Sequence, residues 1–182
     1  MTTRGLVGWI VNGDAGAVET LHVMQRLVRA AVLDPSFVWW SREICQDCVA
    51  RDEYCLALVI RQFVDMSVKF VRDPVGVESL TSPLTHMKKL RGHYGMTVGG
   101  DCDDAATLSA ALGLAVGLPA RFVVIAFPVA APIPGEGFVE DNAPYQHVFT
   151  ELYAAGQWRE MDTTKPLGIG PIRIVRRLTF NV

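Results

Sequence analysis

The hydrophobic positions along the chain predict helices first and strands last. From Asp14 onward, Val18, Leu21, Met24 or Gln25, Val28 and Val32 place apolar residues along one stripe. A helix of about 17 residues with Asp14 as its N-cap is expected there. Asp34-Pro35 marks its break. A second, longer helix is expected from about Ser41 to Val71. Leu56, Val59, Ile60, Phe63 and Val64 form its strongest apolar face, and Asp73-Pro74 ends it. Residues 73–100 carry Gly76, Pro83, Gly92, Gly95, Gly99 and Gly100 and read as a loop, long enough to favour a functional surface. A third helix opens at Asp101 and stops at Gly117-Leu118-Pro119. Arg121 to Phe127, rich in Val, Ile and Phe, reads as a buried strand, and Pro128 to Pro144 as a loop. His147–Tyr153 and Gln157–Asp162 form two strands of a hairpin turning through Ala154-Ala155-Gly156. This order indicates an α+β fold, with the third helix packed on a small antiparallel sheet.

Two stretches carry candidate chemistry. In Gly99-Gly100-Asp101-Cys102-Asp103-Asp104, Asp101 is placed to cap the third helix, with Asp104 in a capping-box-like position. Cys102 then sits in the first turn, where unpaired backbone N–H groups and the helix dipole favour a thiolate and can hold an oxyanion. The two glycines permit close approach of a substrate backbone. The three aspartates oppose ionisation of the sulfur unless they are paired or a nearby imidazolium outweighs them. In the hairpin, a two-residue loop at Ala154-Ala155 sets His147 directly opposite Asp162. A loop two residues longer makes them diagonal neighbours on one face, and either arrangement lets the carboxylate orient the imidazole. A cysteine, a base and an orienting group are the set needed for nucleophilic catalysis.

These segments resemble the three blocks of the transglutaminase-like superfamily. Gly100-Asp101-Cys102-Asp103-Asp104-Ala105, Gln146-His147-Val148 and Trp158-Arg159-Glu160-Met161-Asp162-Thr163-Thr164 stand in the family's chain order. The resemblance implies Cys102, His147 and Asp162 as the catalytic residues of a papain-like α+β core. It also implies no organic cofactor and acyl transfer through a thioester. Phe70-Val71-Arg72-Asp73-Pro74, Glu78 and Ser82-Pro83 are similar to the lead-in of members encoded by phages and prophages. The expected layout is a helical extension over 1–72, a transglutaminase-like core over 73–165 and a tail over 166–182. A glutamine six positions before Cys102, the oxyanion donor of papain-type enzymes, is replaced by Met96. Asp103, Tyr94 and Trp158 are candidate substrate-contacting residues beside the triad.

Composition bounds the alternatives. Half of the 182 residues are hydrophobic and a fifth are charged, which suits a well-packed core rather than disorder. Seventeen basic residues against nineteen acidic ones give no electrostatic reason to expect nucleic acid as a partner. The longest apolar run, Phe122 to Pro134, contains three prolines and falls short of the about 18 residues of a membrane span. Gly5 to Val11 behind Arg4 faintly suggests a signal peptide, but its apolar part is minimal and runs into Asn12 and Asp14, so none is expected. Cys45, Cys48, Cys55 and Cys102 form no spaced disulfide framework, so a reduced, cytosol-compatible protein is expected. The first three cysteines, on one face of the second predicted helix, read as core, with metal ligation the alternative and no metal assigned. His22, His86 and His93 read as surface or locally bonded. Protein or peptide is the expected substrate. A virion structural protein of the same fold, whose tail Ile172 to Val182 adds a strand to a neighbour, is the competing reading.

Overall fold

The computed structural model describes residues 6–8, 14–50, 52–73, 78–92, 97–127, 145–164 and 174–182. The chain runs β1 (Leu6–Gly8), α1 (Asp14–Val32), α2 (Pro35–Ile44), α3 (Glu53–Ser67), β2 (Val68–Phe70), β3 (Glu78–Leu80) and α4 (Pro83–Gly92). It continues through β4 (Val98–Gly100), α5 (Cys102–Ala115), β5 (Ala120–Ala126), β6 (His147–Ala154), β7 (Gln157–Glu160) and β8 (Arg176–Asn181). The fold is α+β, a helical N-terminal region followed by a small antiparallel sheet. That sheet has the order β7-β6-β5-β8, while β1-β3 and β2-β4 form two short pairs, the second parallel.

The first helix forms as expected, but its buried stripe is Leu21, Met24, Leu27, Val28 and Ala31, and Val18 is left exposed. The single long helix expected after it is two helices. Asp34 caps α2 by accepting from the N–H groups of Ser36 and Phe37 at 2.8 and 3.3 Å, with Pro35 in the first turn. Asp52 caps α3 by accepting from Cys55 N–H at 2.9 Å. Each cap satisfies a backbone donor that helix geometry leaves unpaired, at about 1 kcal/mol per cap. Residues 73–100, read as loop, contain β3, α4 and β4.

The cysteines depart from expectation. Cys45 lies at the C-cap of α2, Cys48 in the following turn and Cys55 in α3, so they share no helix face. Cys48 and Cys55 are joined in a disulfide, while Cys45 is a buried free thiol. The bridge consumes two of the three candidate metal ligands, and the expectation of fully reduced thiols is corrected with it.

The helix α5, apolar but for Asp103, Asp104, Thr107 and Ser109, is the centre of the molecule. Every residue from Asp103 to Gly113 is buried, and the helix touches α1, α2, α3 and α4 on one side and β5 and β6 on the other. Alanines and one glycine let the sheet approach closely. A Cβ added at Gly113 would stand 2.3 Å from Leu152 Cδ2. At the end of α5, Gly117 takes φ +92°, and the Leu118 N–H closes on the Gly113 carbonyl at 2.9 Å. The last strand, β8, is no free tail. It pairs with β5 from Arg121↔Asn181 to Ala126↔Arg176 and touches α1 through Gln25 Nε2, which donates to the Asn181 carbonyl at 3.0 Å.

Two outcomes follow from these contacts. Gly113→Ala is expected to lower stability in urea unfolding by about 1–3 kcal/mol through overpacking against Leu152, despite the better helix propensity of alanine. Thiol titration of the denatured, unreduced protein is expected to find Cys45 and Cys102 but not Cys48 or Cys55. Reduction of that seven-residue closure should cost about 2 kcal/mol.

Candidate active site

The nucleophile candidate is delivered by a short parallel pair. Val68, Lys69 and Phe70 of β2 pair with Val98, Gly99 and Gly100 of β4, and the Val71 N–H extends the ladder to the Gly100 carbonyl at 2.9 Å. Asp101 then turns the chain into α5 in extended backbone geometry, without a side-chain cap bond. Cys102 is the first helical residue, a half-buried free thiol. The expected capping box does not form. Asp104 instead reaches out of the helix and accepts from the Thr81 N–H at 2.7 Å. A Cβ at Gly100 would meet Asp104 Cβ at 2.9 Å and Val68 Cγ1 at 3.3 Å, so this glycine makes room for its own chain rather than for a substrate.

The hairpin supplies the other two groups. Its tight turn is Ala155-Gly156, both with positive φ, which matches the primed turns that suit twisted strands. The resulting pairs run from Ala154↔Gln157 to Glu151↔Glu160, and the Met161 N–H continues the ladder to the Thr150 carbonyl at 2.8 Å. Asp162 therefore lies diagonal to His147 on the same face. His147 Nε2 and Asp162 Oδ2 are 2.9 Å apart, and both side chains are buried. The second carboxylate oxygen of Asp162 accepts from the Thr164 N–H at 3.0 Å and the Thr164 hydroxyl at 3.4 Å, which fixes its plane. With Nε2 committed to Asp162, Nδ1 is the nitrogen left for the hydrogen bond that links His147 to Cys102.

Burial alone would disfavour a charged His147, yet its pKa is raised to about 9. The hydrogen bonds to Asp162 and Cys102, with the negative charge of both, outweigh the desolvation. Two other buried groups oppose each other. His86, fully buried on α4, is lowered to about 4 by desolvation, which the nearby Gly99 backbone only partly offsets, with Lys89 adding repulsion. Among the described residues neither ring nitrogen of His86 finds a partner at full hydrogen-bonding geometry. Asp104 is raised to about 7 by desolvation, the Thr81 bond partly offsetting it and the charges of Asp101 and Asp73 adding to it.

The remaining sequence candidates separate. Asp103 is 2% exposed, beside Cys102 but turned into the protein rather than open to a substrate. Trp158 pairs with Tyr153, six steps along β6 from His147, or about 20 Å away. There it packs edge-on against Tyr153 and under the Arg121 guanidinium, 4.1 Å from the ring centre. Tyr94 lies outside the described residues, as do His93 and Met96. His86, read as a surface or locally bonded histidine, belongs to the core. Thr164 was part of the quoted motif without a role, and its position two residues after Asp162 is the short-range signal of an Asx-type turn. Asp101, Asp103 and Asp104 are the one group of carboxylates among the described residues close enough to share a cation, their oxygens lying within 4.8 Å of one another.

Comparison with known proteins bears on the family and the fold. Residues 42–163 match the profile of the transglutaminase-like superfamily. No curated protein matches the chain. Two solved structures share the fold. One is a candidate cysteine protease from Cytophaga hutchinsonii, with TM-score 0.51, 20% identity, and coverage of 78% of this chain and 41% of that one. The other is a candidate protease from Parabacteroides distasonis, with TM-score 0.52, 12% identity, and coverage of 79% of this chain and 26% of that one. The chain thus spans less than half of either.

The shifted groups set a pH signature. His147 binds its proton more tightly folded than unfolded, so its contribution to stability is complete below about 6.5 and disappears as pH rises through about 9. His86 makes stability rise with pH between about 4 and 6.5, and Asp104 makes it fall between about 3.8 and 7, overlapping only the start of the His147 window. Urea unfolding at stepped pH is expected to show a decline between about 7 and 9 that is absent in His147→Gln.

Proposed function

The chain belongs to the transglutaminase-like superfamily, and from that premise we propose that it is a cysteine-dependent enzyme acting on amides through a thioester at Cys102. The supporting observation is one buried imidazole bonded on one side to a carboxylate, at 2.9 Å, and on the other to the sulfur that starts a helix. Cys102 Sγ, its proton already held by the charged His147, attacks a peptide or glutamine-type carbonyl carbon. The oxyanion faces N–H groups of the first turn of α5, which Asp101 does not cap. His147 then protonates the leaving nitrogen, the C–N bond breaks and the thioester remains. Water or an amine attacks the thioester with His147 as base, and Cys102 leaves as the thiolate. Asp162 holds the ring and stabilises its charged form.

The substrate class in this reading is protein or peptide. The family's acyl-transfer chemistry and the protease descriptions of the two similar structures both support it. The virion-protein reading drew on the tail as a strand available to a neighbour. Arg176–Asn181 is paired to β5 on one side and lies at the edge of the sheet, and no comparison supports a virion role.

Mass spectrometry after exposure to a thiol-directed acyl probe tests the proposal. The acyl mass should appear on Cys102 of the wild type and be lost in Cys102→Ser. Acylation should slow by about 100-fold or more in His147→Ala. Labelling confined to Cys45, or a rate indifferent to His147, would refute it.

A further inference from the structure

The stripe of α5 that meets the sheet is made of small side chains, and a smooth stripe fixes how close two elements come but not their axial position. Ala106, Ala110 and Gly113 follow one another at helical spacing. None of them offers a knob to the sheet, although Leu152 of β6 seats against Gly113. Besides the Cys102–His147 bond itself, one further directional contact crosses the interface among the described residues. The Thr150 hydroxyl, on β6, donates to the Ala106 carbonyl at 2.6 Å, and Thr150 is fully buried. The two other buried hydroxyls of α5 are spent inside the helix, Thr107 on Asp103 O and Ser109 on Ala105 O.

The position of this bond matters for the pair above it. Ala106 lies one helical turn after Cys102, about 6 Å of rise. Thr150 lies three residues after His147, about 10 Å of strand. Further along, Gly113 stands against Leu152, so helix and strand run in the same direction and bring Cys102 and His147 to the same end. A slide of the helix by a fraction of a turn would carry the sulfur away from the imidazole; the seating of Leu152 on Gly113 resists it toward the C-terminal end of α5, and the Thr150 bond resists it one turn from Cys102.

We propose that Thr150 is a positioning residue, whose bond to the Ala106 carbonyl sets the axial register between the nucleophile helix and the histidine strand. The proposal rests on the reading of Cys102 and His147 as the reacting pair. It assigns to Thr150 no contact with substrate. Its loss acts on the approach of sulfur to imidazole, and so on turnover rather than on substrate binding.

The test follows the His147 ring by NMR titration, together with hydrolysis of 4-nitrophenyl acetate, in Thr150→Val, Thr150→Ser and Cys102→Ala. Valine keeps the shape and removes the donor, whereas serine keeps the donor. In Thr150→Val the His147 midpoint should move from about 9 toward the value in Cys102→Ala. In the same variant kcat should fall about 10- to 100-fold with KM within about twofold. Thr150→Ser should restore both to within about threefold. If Thr150→Val does not fold, Thr150→Ala carries the same expectations. A midpoint that moves in Cys102→Ala but stays in place without the Thr150 donor overturns the positioning role alone. A midpoint unmoved even in Cys102→Ala overturns the pair itself, and this proposal with it.

Discussion

A helix buried on every side can present a reactive group only at its end, and α5 is such a helix. Four helices and two strands enclose it from Asp103 to Gly113. Its N-terminus is the place where backbone donors are left over and where the dipole is positive. Cys102 occupies that end. The cost is a cluster of carboxylates around it, and the fold manages them differently. Asp104 is tied to the Thr81 N–H and Asp73 receives the Ser79 N–H. Asp103 is buried. The acidic flank of the sulfur is therefore partly structural. It fastens the segment from β3 to α4 onto the start of the helix.

The charge balance around the sulfur is then decided by His147. Its ring sits in a buried place that by itself would keep it neutral, and two polar neighbours reverse that. Asp162 is itself held by Thr164, so the chain of contacts runs from a turn after the hairpin, through a carboxylate and an imidazole, to the helix end. The polar links are buried and directional, whereas the helix–sheet packing beneath them is apolar, with Leu152 seated on Gly113. Polar contacts set the geometry here, and apolar burial supplies the stability.

How much of this was legible in the sequence depended on the range of the signal. Local signals read well. Gly117-Leu118-Pro119 stopped α5, the run Arg121–Phe127 became a strand, and the hairpin appeared with its two chemical groups on one face. The register did not follow from the turn first considered, because Ala155-Gly156 adopts the positive-φ pair and shifts the pairing so that His147 and Asp162 meet diagonally. The break between α2 and α3 was missed because apolar residues continue across it. The capping signal of Asp52 was local, but the Cys48–Cys55 bridge depends on how the turn folds back, which spacing alone does not encode. His86 looked like a loop histidine because burial on α4 comes from contacts distant in sequence. Trp158 was close to Asp162 in number and far from His147 in space, since strands carry neighbours apart at about 3.3 Å per residue. The pairing of β8 with β5 spans more than fifty residues and left no mark in the tail's own pattern.

The coupling between one sulfur and one imidazole is the core of this account. Its most direct measurement is the rate of iodoacetamide alkylation at Cys102, followed by peptide mapping at pH 6, in the wild type and in His147→Ala. A charged His147 beside the sulfur predicts fast modification of Cys102 in the wild type and a fall of about 100-fold in the variant. Equal rates in the two proteins would mean that the sulfur and the ring do not act on each other, and the account would be wrong at its centre.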